Sequence, residues 1–397
     1  MFLKNNRFAR MDYPYILNFF IMLLFAYLYW KNPRQKYVKW AFALQFLFFA
    51  LRAPVVAGDM WNYIRYLDGE RNFYNYDSRE LEMGFLIYRQ ILSSLHIGRF
   101  GCMLINSFFI CFPVYLLIKK YSSNPPLSLA LVTVFGLYVL YFCALRQVLG
   151  LSVLFMCMLY VLEDKRKINN KRKIFVYVLG TFIGYTFHTS IIIYSILFAV
   201  SFFLRHIMKK KILIIGVVLS ALMGVVLERF NIGQAFDFFL NLNFSATERI
   251  QGYLESEETN EITSVMLALR PSVLAMTAFY FIDKEKETHW FTIIYFIGVV
   301  MGNLFISVPM VNRLIQGMTV FGIIVFTWIF NGKYVFDYKY RKMVNTICLF
   351  VFLYFSQSIV KNNLYSNIDL TASSRMHPYQ FIWEDYSQHP SIKYYGN

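Results

Sequence analysis

Residues 145–167 read LRQVLGLSVLFMCMLYVLEDKRK, and this stretch decides the fold class. A long apolar run, close to the roughly 20 residues that a transmembrane helix needs, ends abruptly in a basic loop. The same alternation recurs along nearly the whole chain. The chain is 58% hydrophobic, whereas soluble proteins are about 45–50% apolar. The pattern predicts an all-α, polytopic integral membrane protein.

Twelve transmembrane spans fit the apolar runs, and we expect them to form one helical membrane domain over residues 1–397. The two short spans on either side of His188 could instead form one long helix or a re-entrant pair, because the apolar runs there fit all three arrangements. The predicted spans are 14–30, 38–57, 99–118, 126–143, 146–162, 174–187, 189–204, 212–227, 264–282, 289–308, 312–330 and 343–360.

The distribution of charge predicts the orientation of these spans. One set of alternate loops carries 22 of the 39 basic residues and only 6 of the 23 acidic ones. Loops rich in Lys and Arg face the cytoplasm, so this set is predicted to be cytoplasmic. Both termini, the loops at about 58–98 and 228–263 and the tail 361–397 are then outside. The net charge of +16 is interpreted as a topology signal and not as a surface for nucleic acid.

The sequence contains no motif for a bound nucleotide or a structural metal. Neither GxxxxGK[ST] nor GxGxxG occurs, and the five cysteines form no CxxC pair. We therefore expect no cofactor, no metal site and no ATP-driven pump.

Four arginines are unusual because apolar sequence surrounds them: Arg52, Arg146, Arg270 and Arg313. A charge at such depth costs at least about 2.5–3.5 kcal/mol unless it snorkels to the headgroups or faces a polar cavity. Guanidinium groups are also well suited to bidentate contact with phosphate. The four predict a shared anionic ligand near the outer face, such as a lipid-linked phosphate, and snorkelling is the alternative for each.

His188, in GYTFHTSIIIYSI, is the only histidine with long apolar runs on both sides. It is predicted at the outer end of its helix, at the level of Arg146 and Arg313. A neutral imidazole there is a candidate acceptor for a hydroxyl proton. The alternative is a core histidine bonded to a carbonyl.

Asp59 follows Gly58 at the predicted outer end of the second span. It is well placed as a helix N-cap, a role that does not exclude a chemical one. The spacing of Asp59, Tyr63 and Tyr66 places them on one helical face. A carboxylate beside aromatic rings suits a sugar, although such rings also form the aromatic belt of membrane proteins. Residues 80–95 predict an amphipathic helix on the outer leaflet.

Five motifs occur in order along the chain: GDMWNYIRYL, LRQVLGLSVLFMCMLYVLEDKRK, FIGYTFHTSIII, ERIQGY and MVNRLIQG. Together they resemble the EpsG/Wzy-type polysaccharide polymerases of bacterial envelopes. The most telling pair is the helix that begins with Arg146 and Gln147 followed by the helix with Phe187, His188, Thr189 and Ser190.

The resemblance implies an all-helical glycosyltransferase of the C type in the bacterial cytoplasmic (inner) membrane. Such an enzyme takes a repeat-unit oligosaccharide on undecaprenyl diphosphate at the outer face. It transfers the growing glycan to a hydroxyl of the next unit and releases undecaprenyl diphosphate. The resemblance implies neither a nucleotide sugar nor an essential metal. It implies a chain-length regulator and a flippase as partners, and no nucleic acid.

The candidate residues fit this chemistry. Positive groups that stabilise the charge of a leaving diphosphate accelerate its departure. His188 is the first candidate for the base that orients the acceptor hydroxyl, and Asp59 is the second. The candidates for the diphosphate are Arg146, Arg313, Arg270 and Arg52, and those for the glycan are Trp61, Tyr63, Tyr66, Arg65 and Gln147.

Other functions remain open at this point. A flippase or transporter of the same lipid-linked glycan would also need a basic cavity, but the internal repeats typical of transporters are not evident. A lipid-to-acceptor glycan ligase of the same fold would differ only in its acceptor. A membrane acyltransferase would need a histidine on the cytoplasmic side, opposite to the predicted side of His188.

Overall fold

The computed structural model describes residues 13–69, 81–135, 137–163, 170–229, 261–282, 286, 289–305, 309–330 and 379–385. Within these ranges the chain is helical, apart from turns and one isolated β-bridge. The helices are α1 (Tyr13–Lys31), α2 (Gln35–Ala50), α3 (Gly58–Leu67), α4 (Met83–Ser94), α5 (Gly98–Tyr121), α6 (Pro125–Val134), α7 (Tyr138–Cys143), α8 (Leu145–Val161), α9 (Asn170–Tyr185), α10 (Ile191–Leu204), α11 (Lys210–Arg229), α12 (Glu261–Phe281), α13 (Trp290–Leu304), α14 (Pro309–Thr319) and α15 (Gly322–Phe330).

The helices fall into two compact units. Unit one comprises residues 1–195 and 356–397, and unit two comprises residues 196–355. Helices α1 to α9 belong to unit one, α10 spans the boundary, and α11 to α15 belong to unit two. The single membrane domain of the sequence analysis stays a prediction.

The length and surface of the helices fit a multi-pass membrane protein. Helices α1 and α5 and residues 210–227 of α11 are long and apolar enough to cross a bilayer. Helix α1 also exposes an apolar stripe at helical spacing, formed by Leu17, Phe20, Leu24 and Tyr27. Such a stripe is unfavourable in water and suits contact with lipid. The count of twelve spans and the side of each terminus stay predictions.

Three of the predicted spans differ from the helices. Helix α2 ends at Ala50 and not at residue 57, because Pro54 disfavours helical backbone at the residue before it and lacks an N–H of its own. The predicted span 126–143 is broken between α6 and α7, and span 312–330 is broken at Val320-Phe321. The span 343–360 lies outside the described residues. The two helices flanking His188 are separate, which excludes one continuous helix.

A buried polar network joins four helices of unit one. The Asn18 side-chain amide donates to Gln45 Oε1 at 3.0 Å and to the Tyr138 hydroxyl at 2.9 Å. The Thr133 hydroxyl donates to the same Tyr138 oxygen at 3.2 Å. Because lipid offers no hydrogen bonds, mutual pairing of this kind fixes the packing of α1, α2, α6 and α7.

Residues 379–385 return from the C-terminal tail to the end of α2. The Ala53 N–H donates to the Gln380 carbonyl at 2.8 Å, and the Ile382 N–H donates to the Leu51 carbonyl at 2.9 Å. The Tyr379 hydroxyl donates to the Phe48 carbonyl at 2.7 Å. The tail segment therefore lies on the same side of unit one as the end of α2.

Unit two is built around Asn303 on α13. The Ser272 hydroxyl donates to Asn303 Oδ1 at 3.0 Å, and Asn303 Nδ2 donates to the Ser220 hydroxyl at 2.9 Å. These bonds join α11, α12 and α13. The Trp290 indole donates to the Phe198 carbonyl at 3.0 Å and joins α10 to α13.

Candidate active site

Close packing of α8 against α9 positions the candidate site in unit one. A Cβ atom on Gly150 would lie 2.8 Å from the Gly184 carbonyl oxygen, so no larger residue fits there. Small residues allow helices in a membrane to approach closely. Gly150 is one turn from Arg146 on α8, and Gly184 is near the end of α9. The packing therefore brings the turn at 186–190, which carries His188, beside the start of α8.

The start of α4 is fixed on the same turn. The Gly84 N–H donates to the Thr186 carbonyl at 2.8 Å. A Cβ atom on Gly84 would lie 2.8 Å from that carbonyl oxygen and closer still to the Thr186 hydroxyl. Glycine is therefore required at position 84 for α4 to lie against the turn.

The far side of α4 is anchored to α5. The Tyr88 hydroxyl donates to Asn106 Oδ1 at 3.0 Å. Burial raises the pKa of the Tyr88 phenol, so Tyr88 remains a neutral donor at physiological pH. The apolar residues Met83, Ile87, Ile91 and Leu95 form an exposed row along α4 and the residue after it. This row is the face that the amphipathic pattern predicts for the membrane surface.

The centre of the site is an ion pair between Arg146 and Glu82. Arg146 Nη1 lies 2.6 Å from Glu82 Oε2, and Arg146 Nε donates to the Tyr63 hydroxyl at 3.2 Å. Glu82 Oε1 accepts from the Thr189 N–H at 3.3 Å. Both charged side chains are less than a fifth exposed. These four residues, Tyr63, Glu82, Arg146 and Thr189, are called the Arg146 group below. They connect α3, the start of α4, α8 and the turn after α9.

This geometry orients Arg146 for an anion. A guanidinium has five N–H donors, and Tyr63 and Glu82 take one each, so three remain beyond these two bonds. These two bonds fix the orientation of the guanidinium, and both N–H groups of Nη2 are among the donors left for phosphate oxygens. Arg146 therefore suits a diphosphate better than a snorkelling arginine would.

The surroundings of His188 fix its tautomer. The Ser190 N–H donates to His188 Nδ1 at 3.2 Å, and the Ser190 hydroxyl lies 2.8 Å from the same nitrogen. Because Nδ1 accepts from a backbone N–H, the neutral ring carries its proton on Nε2. Nε2 is then a donor and not a proton acceptor. In this tautomer Nε2 is a donor to a phosphate or sugar oxygen, and the role of His188 as the base stays a prediction.

Asp59 is not the N-cap that the sequence suggested. Ala57 occupies the N-cap position of α3, and Asp59 lies in the first turn. Its carboxylate there still interacts favourably with the positive end of the helix dipole. Tyr63 and Tyr66 share a face as predicted, and both rings contact Phe85 of α4, at centroid distances of 5.7 Å and 6.2 Å.

The other glycan candidates have packing partners. Arg65 and Arg99 each lie over the Trp61 ring, and Arg89 lies 4.2 Å from the Tyr66 ring centroid. The Gln147 side-chain amide is buried and donates to the Tyr194 hydroxyl at 2.7 Å. The side chains of Trp61, Tyr66 and Gln147 are buried. Contact of these candidates with a glycan stays a prediction.

Of the other arginine candidates, Arg52 lies in unit one, and Arg270 and Arg313 lie in unit two. Arg52 is 1% exposed and lies 3.6 Å from the centroid of the Phe142 ring, so it does not snorkel. Its Nε and Nη1 atoms have no hydrogen-bond partner in the structure. Arg313 is exposed on α14 of unit two, and the side chain of Arg270 lies outside the described residues. A ligand shared by all four arginines stays a prediction.

Replacing Arg52 with methionine is expected to stabilise unit one by about 1–2 kcal/mol. Burying an incompletely paired charge costs several kcal/mol, which exceeds the roughly 2 kcal/mol of a desolvated cation–π contact. The measurement is the thermal unfolding midpoint of the purified protein in detergent. Arg205→Met, which removes an arginine lying over Phe202, is the matched control. A lower midpoint for Arg52→Met than for the control would contradict the expectation.

A cleft of about 530 Å³ lies along the second half of α4. It is lined by Arg89, Gln90, Ser93, Ser94 and His96, together with Gly69 and Leu86. At about 1.5 Å per residue, the lining residues on α4 lie between roughly 6 Å (Leu86) and roughly 18 Å (Ser94) from Glu82 along the helix axis. One helix thus carries a charged centre at its start and a cleft along its second half.

Glu82 is the residue that sequence reasoning missed. The stretch ELEMGFLIYRQILSSL was interpreted only as an amphipathic helix, and Glu82 was one of several acids outside the membrane. The available signal was a carboxylate at the N-cap position, with a glycine in the first helical turn at Gly84. Its partner, 64 residues away in sequence, could not be identified from the sequence alone.

Comparison with known families places this geometry in context. A sequence model described as the EpsG family matches residues 37–381, which is most of the chain. The chain belongs to the EpsG family. The matched range includes every residue of the Arg146 group. Family membership and the apolar helices together indicate a multi-pass membrane protein with a polysaccharide polymerase-like role. A search of curated proteins and a search of solved structures found no match to this EpsG family protein.

Proposed function

We propose that this EpsG family protein polymerises oligosaccharide repeat units linked to undecaprenyl diphosphate, at the outer face of the bacterial cytoplasmic membrane. The growing glycan passes from its lipid carrier to a hydroxyl of the next lipid-linked unit. Undecaprenyl diphosphate leaves. The product is a surface polysaccharide, and a flippase and a chain-length regulator are the proposed partners.

The observation that carries the proposal is the orientation of Arg146. The glycosidic bond to a diphosphate breaks with a growth of negative charge on the leaving oxygens. A preoriented, partly buried guanidinium stabilises that charge without reorganising during the reaction. Glu82 and Tyr63 supply this preorientation, because each holds one N–H of the guanidinium.

The rest of the site supports a glycan as the transferred group. His188, with its proton on Nε2, is a donor for a phosphate or sugar oxygen. The cleft along the second half of α4 offers amide, hydroxyl, imidazole and guanidinium groups, which match sugar hydroxyls. A chain of a few sugars would reach from Arg146 to this cleft along α4.

The proposal is tested in a strain that lacks the gene. Deletion is expected to remove long polymer and to leave single repeat units on the lipid carrier, accessible from outside the cytoplasmic membrane. Polymer and lipid-linked glycan are extracted and compared on gels. Repeat units confined to the cytoplasmic side would identify a flippase instead. Normal polymer in the deletion strain would refute the proposal.

A further inference from the structure

We infer that Glu82 is the general base of the transfer, the group that takes the proton from the acceptor hydroxyl. The inference rests on the proposed glycan transfer and assigns a role to a residue that no sequence motif singles out. It also links the base to the binding of the donor, because the same carboxylate pairs with Arg146.

The position of Glu82 meets the requirements of a base. A carboxylate offers about four lone-pair positions, and Arg146 Nη1 and the Thr189 N–H occupy one each. The side chain is 15% exposed, so the remaining positions are accessible yet shielded from bulk water. The acceptor hydroxyl must lie within about 3 Å of its base, and it must also lie beside the bond to the diphosphate. Glu82 satisfies both conditions because it contacts the arginine that would hold the diphosphate.

The neighbouring candidates are less suitable. His188 Nδ1 already accepts from Ser190, and its Nε2 carries the proton. Tyr63 donates or accepts through a phenol, which is a poor acceptor of a proton in the neutral state. Asp59 lies in the first turn of α3, whereas Glu82 is bonded directly to Arg146. The matched variant Asp59→Asn is included in the test for this reason.

The donor diphosphate binds the N–H groups of Arg146 that Tyr63 and Glu82 leave available, and Glu82 keeps lone-pair positions for the acceptor hydroxyl. The acceptor oxygen forms a bond to the anomeric carbon, and the bond from that carbon to the diphosphate oxygen breaks. The electron pair leaves with the diphosphate, and the hydroxyl proton moves to Glu82. Water removes that proton after the product has left.

The test uses the purified full chain in lipid nanodiscs with two probes. One is the undecaprenyl-diphosphate-linked repeat unit, for the rate of a single transfer. The other is undecaprenyl diphosphate alone, for the dissociation constant. The variants are Glu82→Gln, which keeps an acceptor oxygen but cannot take a proton in this step, and Glu82→Asp, which keeps the acid. Asp59→Asn is compared with them, and Glu163→Gln, at the end of the helix beyond Val161, is the matched control.

We expect Glu82→Gln to slow the transfer about 10²–10⁴-fold, the usual contribution of a general base. Binding of undecaprenyl diphosphate is expected to be unchanged, because the amide oxygen of glutamine can still accept from Arg146 Nη1 and the diphosphate binds the other N–H groups. Glu82→Asp is expected to restore part of the rate. Transfer by Glu82→Gln near the wild-type rate would overturn the assignment, as would a loss of binding together with transfer, which marks a residue that only positions Arg146. If Asp59→Asn lost transfer to the same extent and still bound undecaprenyl diphosphate normally, Asp59 would be the base instead.

The failure of this inference is distinguishable from the failure of the proposed function. If the wild-type protein transfers and Glu82→Gln does too, only the base is misassigned. If the wild-type protein binds undecaprenyl diphosphate but lengthens no glycan, the polymerase itself is refuted, and the base is refuted with it.

Discussion

Arg146→Ala is expected to abolish long polymer while the protein remains folded and at normal level. Removing one preorganised donor to a developing negative charge typically lowers kcat about 10²–10³-fold. The loss here is expected at the upper end, because Arg146 is the one arginine that the described part of unit one joins to both Tyr63 and Glu82. Single repeat units on the lipid carrier are expected to accumulate.

Arg146→Lys is expected to recover little of this activity. An ammonium keeps the charge but lacks the planar fork, so it cannot hold Glu82, Tyr63 and two diphosphate oxygens at once. The matched control is Arg205→Ala, because Arg205 lies after α10 in unit two and packs on Phe202. The measurement is the length distribution of surface glycan at matched protein levels. Long polymer from Arg146→Ala would remove Arg146 from the mechanism.

Gly84→Ala is expected to reduce transfer about 10²-fold, although it changes no charged group. The new Cβ would lie 2.8 Å from the Thr186 carbonyl oxygen, which belongs to the backbone and cannot rotate away. Overpacking of this kind costs about 1–3 kcal/mol and is relieved by backbone shifts. The shift would move α4 away from the turn and separate Glu82 from Thr189 and Arg146, and a misplacement of about 1 Å costs about 10²-fold in rate.

A second glycine provides the control for this prediction. A Cβ on Gly302 of α13 would meet only Ile315 side-chain atoms, at 3.3 Å and 3.8 Å. Gly302→Ala is therefore expected to leave transfer unchanged, and alanine also favours the helix. Transfer rates and thermal midpoints of both variants are compared in detergent. Equal transfer rates for Gly84→Ala and wild type would show that the contact between α4 and the turn does not position the site.

The apolar pattern of the sequence was sufficient to predict most helices. The bilayer core holds no water, so a spanning segment must form its backbone hydrogen bonds internally, as a helix does. The pattern was not sufficient to predict where helices break within an apolar run. The interruptions between α6 and α7 and at Val320-Phe321 leave no change in hydropathy. The end of α2 at Ala50 had a local signal, Pro54, which the hydropathy pattern concealed.

Part of the site was also predictable from the sequence. Arg146 and His188 are visible in the sequence because polar groups in apolar surroundings stand out, and Tyr63 because of its helical spacing from Asp59; the structure brings Arg146 and Tyr63 together. Glu82 lies in an acid-rich segment that the charge pattern predicts to be outside, where one more carboxylate carries no signal. The pairing of Glu82 with Arg146 depends on the close approach at Gly84 and Gly184, a tertiary property. The tautomer of His188 likewise depends on the Ser190 N–H in a turn that the spans did not specify.

The central claim is tested most directly by reconstitution. The purified full chain is placed in liposomes with one substrate, the undecaprenyl-diphosphate-linked repeat unit, and no other protein. We predict a ladder of lengthened glycans on lipid, with one undecaprenyl diphosphate released for each unit added, and no ladder with Arg146→Ala. Movement of the lipid-linked unit between leaflets without any change in glycan length would contradict the account and identify a transporter.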